Sequence, residues 1–298
     1  MADTIIRATA AGAQIRAFVA DTKETVMTAY EKHDTYPVMT AALGRLLTAG
    51  ALMGAMLKNE GDRLTLKIDG DGPGTGLVVA ADYLSHVKGY AVNPHVDIPL
   101  KPNGKLDVSG AIGNGTLTVI KDMGLKEPYV GTTNLVTGEI AEDITYYFSL
   151  SEQIPSSVGL GVLVDTDCSV KCAGGFILQL MPFANDETID RLEANLKNIS
   201  SVTSMYDSGM TAKDILYKLL DGFDVEINDE IKPEYKCDCS RERVENALSL
   251  IAKDELNDMI RQAGEDGRPA EVHCDFCNTD YYFTKEDLEK IAGGKKDE

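Results

Sequence analysis

The sequence predicts an α+β fold with a small, chemically distinct C-terminal module, and three observations predict it. Strand-like stretches with alternating apolar residues follow one another through residues 1–182, broken by only a few helical ones. Residues 37–58 (PVMTAALGRLLTAGALMGAMLK) are apolar nearly all round. Four of the six cysteines fall in two close pairs after residue 236. At 298 residues the chain exceeds one average domain, and 43% hydrophobic residues suffice for a real core.

Taken in order, residues 14–20 read as a strand and 25–32 as a helix. Residues 37–58 are long enough to cross a bilayer, but Arg45 near the middle opposes insertion, as do Thr40 and Thr48. A helix covered by protein on all sides is the expectation. Pro37 suits its first turn, and Arg45 then requires a partner or a route to solvent. Leu64, Leu66 and Ile68 alternate in a strand over 63–69, residues 69–76 form a turn, and 77–81 are a buried strand. Further strands are expected at 87–92 and 105–112, with Asn114-Gly115 as a hairpin turn before a strand at 116–121. Residues 138–153 read as a helix with acidic first turns, and 158–164 and 171–181 as the last strands of this core.

Asp69-Gly70-Asp71-Gly72 looks like the start of a calcium loop, but Ala80 stands where the bidentate glutamate belongs. Neither this stretch nor Ala173-Gly174-Gly175 has the lysine of a phosphate loop, and both are expected to be turns or bulges. His33, His86, His95 and His273 are scattered, and no nucleophile–base pairing emerges. No catalytic residue is predicted.

The 29 basic and 48 acidic side chains give a net charge of −19, which argues against nucleic acid and membrane surfaces as partners. Residues 183–231 are the most acidic stretch per residue, with 4 basic and 11 acidic groups. Helices at 188–196 and 211–220 flank a polar, loop-like stretch at 200–209. This is expected to be a marginally stable helical linker between a core (1–182) and a small module (232–298).

Six cysteines would fit three disulfides in a secreted protein. The length of the chain opposes that, as does an N-terminus without a basic stretch followed by a sustained apolar run. A cytoplasmic chain with paired cysteines is expected to bind metal or do redox chemistry. Cys237-Asp238-Cys239 is a C-x-C pair, and Cys274-Asp275-Phe276-Cys277 a C-x-x-C pair. Two such pairs make a tetrahedral four-thiolate zinc site, one Zn²⁺ per chain. The module around them has helices at 241–251 and 254–262, a strand at 281–283 and a helix at 285–291 capped by Thr284. It is near the lower size limit for an unaided core, so metal would supply the missing stability. Oxidation of the thiolates would withdraw it, and the short spacings favour local pairing, Cys237 with Cys239 and Cys274 with Cys277. On the motif alone both a permanent zinc clamp and such a switch stand, and the clamp is preferred. Cys168 and Cys172 lie too far apart on a straight strand to bond and are expected to be buried free thiols.

The cysteine module, the order of segments and several core stretches resemble the 33-kDa heat-shock chaperone family, the redox-regulated chaperonins. The matching stretches are ALGRLLTAGALMGAMLK (42–58), LTLKIDGDGP (64–73), VKGYAVNP (87–94), GEIAEDITYYFSLSEQIPSSVGLGVLV (138–164), AGGFILQLMP (173–182) and EVHCDFCNTDYYF (271–283). The resemblance covers nearly the whole chain. It implies β-sheets packed around a buried helix in a cytoplasmic, ATP-independent holdase that binds unfolding proteins under oxidative stress. It further implies that zinc on Cys237, Cys239, Cys274 and Cys277 keeps the reduced protein inactive. Oxidation would form the two local disulfides, release zinc, unfold the module and the adjoining linker, and yield a homodimer that binds unfolded or misfolded clients. No family role extends to Cys168 or Cys172. The competing readings are a constitutive zinc-stabilised adaptor for a partner protein and a thiol–disulfide oxidoreductase using the C-x-x-C pair.

Overall fold

The computed structural model describes residues 2–293, and the chain divides into two compact units, one ending at Lys236 and the other starting at Cys237. The first unit opens with β1 (Thr4–Ala10), β2 (Ile15–Asp21), α1 (Lys23–His33) and α2 (Pro37–Gly54). A run of strands follows: β3 (Arg63–Gly70), β4 (Gly76–Asp82), β5 (His86–Ala91), the short α3 (Val108–Ile112), β6 (Gly115–Asp122) and β7 (Tyr129–Asn134). Then come α4 (Ala141–Tyr147), continued by a π-helical turn over Phe148–Glu152, β8 (Ser156–Val164) and β9 (Val170–Leu180). The unit ends with α5 (Asp186–Lys197), α6 (Val202–Asp207), α7 (Ala212–Leu219), β10 (Val225–Ile231) and β11 (Glu234–Tyr235).

One sheet has the order β10-β1-β2-β9-β8 and the other β11-β5-β4-β3-β6-β7. Helix α2 packs against strands of both sheets, and every residue in it except Pro37 and Arg45 is buried. Its length and composition alone would allow a membrane span, but 89% of it is buried inside the protein. The threonine hydroxyls in this helix find partners, while Arg45 Nε is buried without one. The Thr48 hydroxyl donates to the Gly44 carbonyl at 2.8 Å and meets the Thr22 hydroxyl at 2.7 Å. Arg45 reaches the Glu139 carboxylate at 2.7 Å, the partner its position demands.

Several local expectations are corrected. Residues 105–112 form no strand. The Asp107 side chain accepts from the Gly110 amide and starts α3 instead. Asn114-Gly115 is therefore no hairpin turn: Gly115 is already in β6, paired with Gly70 of β3. The stretch 200–209 contains α6, which Ser201 caps by accepting from the Ser204 amide. Gly174 and Gly175 are neither turn nor bulge. They lie within β9, and an added Cβ at Gly174 would stand 2.4 Å from the Ala20 carbonyl oxygen. Strands β7 and β10 escape a periodicity reading because they are edge strands whose residues are mostly exposed or half-buried.

The stretch 183–231 does not hang between units. Helices α6 and α7 pack on the outer face of the five-stranded sheet, over Ile6, Ala8, Ile15, Ala17, Val19 and Phe176. Helix α5 packs on α7, and β10 joins the sheet edge through β1. The amphipathic face of α7 buries Ile215, Leu216 and Leu219.

The second unit contains α8 (Arg241–Leu250), α9 (Lys253–Asp266), a hairpin of β12 (Ala270–Cys274) and β13 (Thr279–Phe283), and α10 (Lys285–Gly293). Its core cluster has five buried side chains among the described residues: Leu248, Leu256, Ala263, Phe283 and Leu288. Arg241 ties it together, donating to the Tyr282 carbonyl and the Asp287 carboxylate, each at 2.8 Å, and lying 4.4 Å over the Phe283 ring. Thr284 and Asp287 close a reciprocal capping box at the start of α10. Residues 294–298 of the expected module lie outside the described residues.

Candidate metal centre

The second unit brings the four paired cysteines to one point. Cys274 ends β12, and the turn to β13 folds back on it. The Cys277 amide donates to the Cys274 carbonyl at 3.2 Å and the Asn278 amide to the same oxygen at 2.8 Å. Asn278 takes the left-handed conformation that closes such a knuckle, with φ of 55°. Cys237 and Cys239 lie on the extended segment before α8, which Ser240 caps by accepting from the Arg243 amide. The cap fixes where the segment ends and the helix begins.

All four Sγ atoms lie within 4.8 Å of one another, a group able to hold a metal ion. Two of the separations, Cys237 to Cys274 at 3.9 Å and Cys239 to Cys277 at 3.1 Å, cross between the two pairs. A tetrahedron with metal–sulfur bonds of about 2.3 Å has edges of roughly 3.8 Å, so the cluster needs little adjustment to fit one.

The electrostatics point the same way. Burial pushes the Cys237 and Cys277 thiols up. Burial also opposes ionisation of Cys239, but hydrogen bonds from Tyr281 and the neighbouring sulfurs outweigh it and bring that thiol down to about 7. Four thiolates this close repel one another, and a divalent cation is the group that lets them ionise together. The Tyr281 hydroxyl donates to Cys239 Sγ at 3.2 Å, and Cys277 Sγ lies 3.3 Å from the Thr279 hydroxyl. Both are outer partners that sequence reading did not single out. Their only signal was position, two and four residues beyond a C-x-x-C knuckle on the returning strand.

Cys168 and Cys172 lie outside this cluster, in the first unit. Cys168 sits in the β8–β9 turn and is partly exposed. Cys172 is buried, with its Sγ 3.7 Å from the Thr203 carbonyl oxygen, and burial pushes its thiol up to about 11. Neither forms a disulfide.

Comparison with known proteins adds to this geometry. The sequence model of the family described as Hsp33 protein matches residues 3–284. The chain is 57% identical to the 33 kDa chaperonin of Lachnoclostridium phytofermentans over 291 residues, 98% of each chain. It is 56% identical to the 33 kDa chaperonin of Agathobacter rectalis, covering 98% of this chain and 100% of that one. The crystal structure of the 33 kDa chaperonin (heat shock protein 33 homolog) from Thermotoga maritima superposes with a TM-score of 0.88 at 38% identity, covering 98% of both chains. A match from end to end in sequence and in fold leaves one assignment: the chain belongs to the Hsp33 family.

Proposed function

We propose that this chain is a redox-regulated, ATP-independent chaperone of the cytoplasm, a holdase that binds unfolding proteins under oxidative stress and catalyses no reaction. The observation that carries the reading is the four-sulfur cluster in a unit whose core cluster has five buried side chains among the described residues. In the reduced state Cys237, Cys239, Cys274 and Cys277 hold one Zn²⁺. The bound ion supplies folding energy, about 10–16 kcal/mol of apparent binding in small zinc-finger peptides.

Oxidation pairs Cys237 with Cys239 and Cys274 with Cys277. Each pair of thiolates gives two electrons to one hydrogen peroxide, which takes up two protons and leaves as two waters, while one S–S bond forms. Thiolates spent in this way no longer hold a cation, and the second unit loses its main support. The neighbouring stretch 183–231, dense in negative charge, then opens, and the chain dimerises. The apolar sheet face under α6 and α7 becomes available to clients.

The test measures zinc content and suppression of client aggregation together, before and after peroxide with mild heating. Zinc loss, thiol loss and gain of activity are expected to coincide. Equal suppression by the reduced, zinc-loaded protein would falsify the switch and favour a constitutive adaptor, and rapid turnover of a disulfide substrate would favour an oxidoreductase. Cys274→Ser is expected to weaken zinc binding, and unchanged affinity sinks the ligand assignment. Peptide mapping of the oxidised chain separates local pairing from the crossed pairing that the 3.9 and 3.1 Å approaches would favour.

A further inference from the structure

Strand β11 is two residues long, and it ends two positions before Cys237. It lies parallel to β5, with Glu234 opposite His86 and Tyr235 opposite Val87. The Lys236 amide extends the pairing by donating to the Val87 carbonyl at 2.8 Å. Strand β5 has six residues, and β11 pairs with only the first two. The next outward-facing position, Gly89, is met by a side chain instead. The Tyr235 hydroxyl donates to the Gly89 carbonyl at 2.9 Å and lies 3.4 Å from the Gly89 amide, while its oxygen stands 3.0 Å from His33 Nε2. The Tyr235 ring is only 8% exposed. A cavity of about 410 Å³ flanks this segment, lined by Asp3, Glu24 and Glu234 together with Thr25, Thr28 and Lys232.

We propose that the β5 edge and the Tyr235 site form a docking groove for an extended polypeptide segment of an unfolded protein. Its occupant carries an aromatic side chain, and β11 fills the groove as a stand-in. The inference rests on the holdase reading for its release step, because β11 leads directly into Cys237. The seated segment Lys232-Pro233-Glu234-Tyr235-Lys236 shows what the groove accepts: extended backbone and one buried aromatic ring, with Lys232 and Glu24 both lining the cavity beside it. A longer strand makes more backbone hydrogen bonds along β5 than a two-residue strand can, so a client segment outcompetes β11 once its anchor is loosened. As long as β11 is held, its covalent attachment gives it a high effective concentration and keeps the groove closed.

The experiment uses the full chain in its reduced form, so that it does not depend on the redox switch. Wild type, Tyr235→Ala and Tyr235→Phe are titrated with reduced, carboxymethylated α-lactalbumin, a permanently unfolded probe. Amide hydrogen exchange is followed at Val87 and Gly89. Tyr235→Ala is expected to expose both amides, to bind the probe about tenfold more tightly than wild type, and to have both amides protected again by the probe. Tyr235→Phe keeps the ring and is expected to expose Gly89 alone, with a smaller gain, which guards against simple misfolding of the alanine variant. Binding unchanged in both variants overturns the proposal, as does tighter binding that leaves Val87 and Gly89 unprotected. A wild type that never gains activity on oxidation, alongside the expected variant result, removes the switch and leaves the groove standing.

Discussion

Arg45 illustrates how one residue in an apolar helix constrains its surroundings. Its guanidinium donates to both the side chain and the backbone carbonyl of Glu139, and Lys101 pairs with the same carboxylate. Burial by itself raises the Glu139 pKa, but the hydrogen bonds from Lys101 and Arg45 outweigh it and bring the carboxyl from 4.5 to about 2. A depressed carboxyl stabilises the fold fully above its unfolded pKa and loses that contribution as pH falls from about 5 through about 2. Glu139→Gln is expected to remove on the order of 2–3 kcal/mol at pH 7 and to flatten the acid dependence in that window. Urea unfolding at pH 7 and pH 3 checks this, and an equal acid loss in wild type and variant contradicts it. At the metal centre, Tyr281→Phe is expected to lower zinc affinity about tenfold by removing an outer-shell donor, as read by chelator competition. The need for a partner to Arg45 was legible in the sequence. The identity of Glu139 was not, because it lies 94 positions away and only the fold brings it near.

At the scale of elements, the segment 183–231 belongs to the first unit through the packing of α6 and α7 on the sheet face and the pairing of β10 with β1. Leu216 is fully buried under α7 and against the sheet face. Leu216→Ala is expected to cost about 2–5 kcal/mol and to speed both hydrogen exchange in α7 and peroxide activation of client binding. Faster exchange without faster activation would show that opening of this segment is not the controlling step. The helices α5 and α7 were legible because apolar residues recur at helical spacing, whereas the caps at Asn185 and Thr211 emerge only in the structure. Helix α6 was not, since its six residues carry little periodic signal, and Val202 and Met205 gain meaning only from the strands beneath them. For the same reason 105–112 misled: Leu106, Val108 and Ile112 look strand-like, and the Asp107 cap decides for a helix.

At the scale of the whole molecule, two units of unequal core size predict unequal stability. The first has clusters built around α2 and under α6 and α7, whereas the core cluster of the second has five buried side chains among the described residues, beside the four-cysteine site. Zinc chelation under reducing conditions is expected to abolish exchange protection around Leu248 and Phe283 while amides of α2 stay protected. One concerted loss in both units would contradict separate stabilities. The sequence by itself determined the α+β class, the buried helix and the four cysteines of the centre, because alternation, apolar runs and thiol spacing are local properties of a chain. It also carried the family, which the end-to-end matches bear out. Only the tertiary structure decided that sulfurs of Cys237 and Cys239 meet those of Cys274 and Cys277 within 4.8 Å, that residues after 182 complete the first unit's sheet edges, and that Tyr235 is buried beside Gly89. Those are contacts between residues tens to hundreds of positions apart, and no local pattern encodes them. They arise when burial of the apolar faces fixes which elements lie side by side.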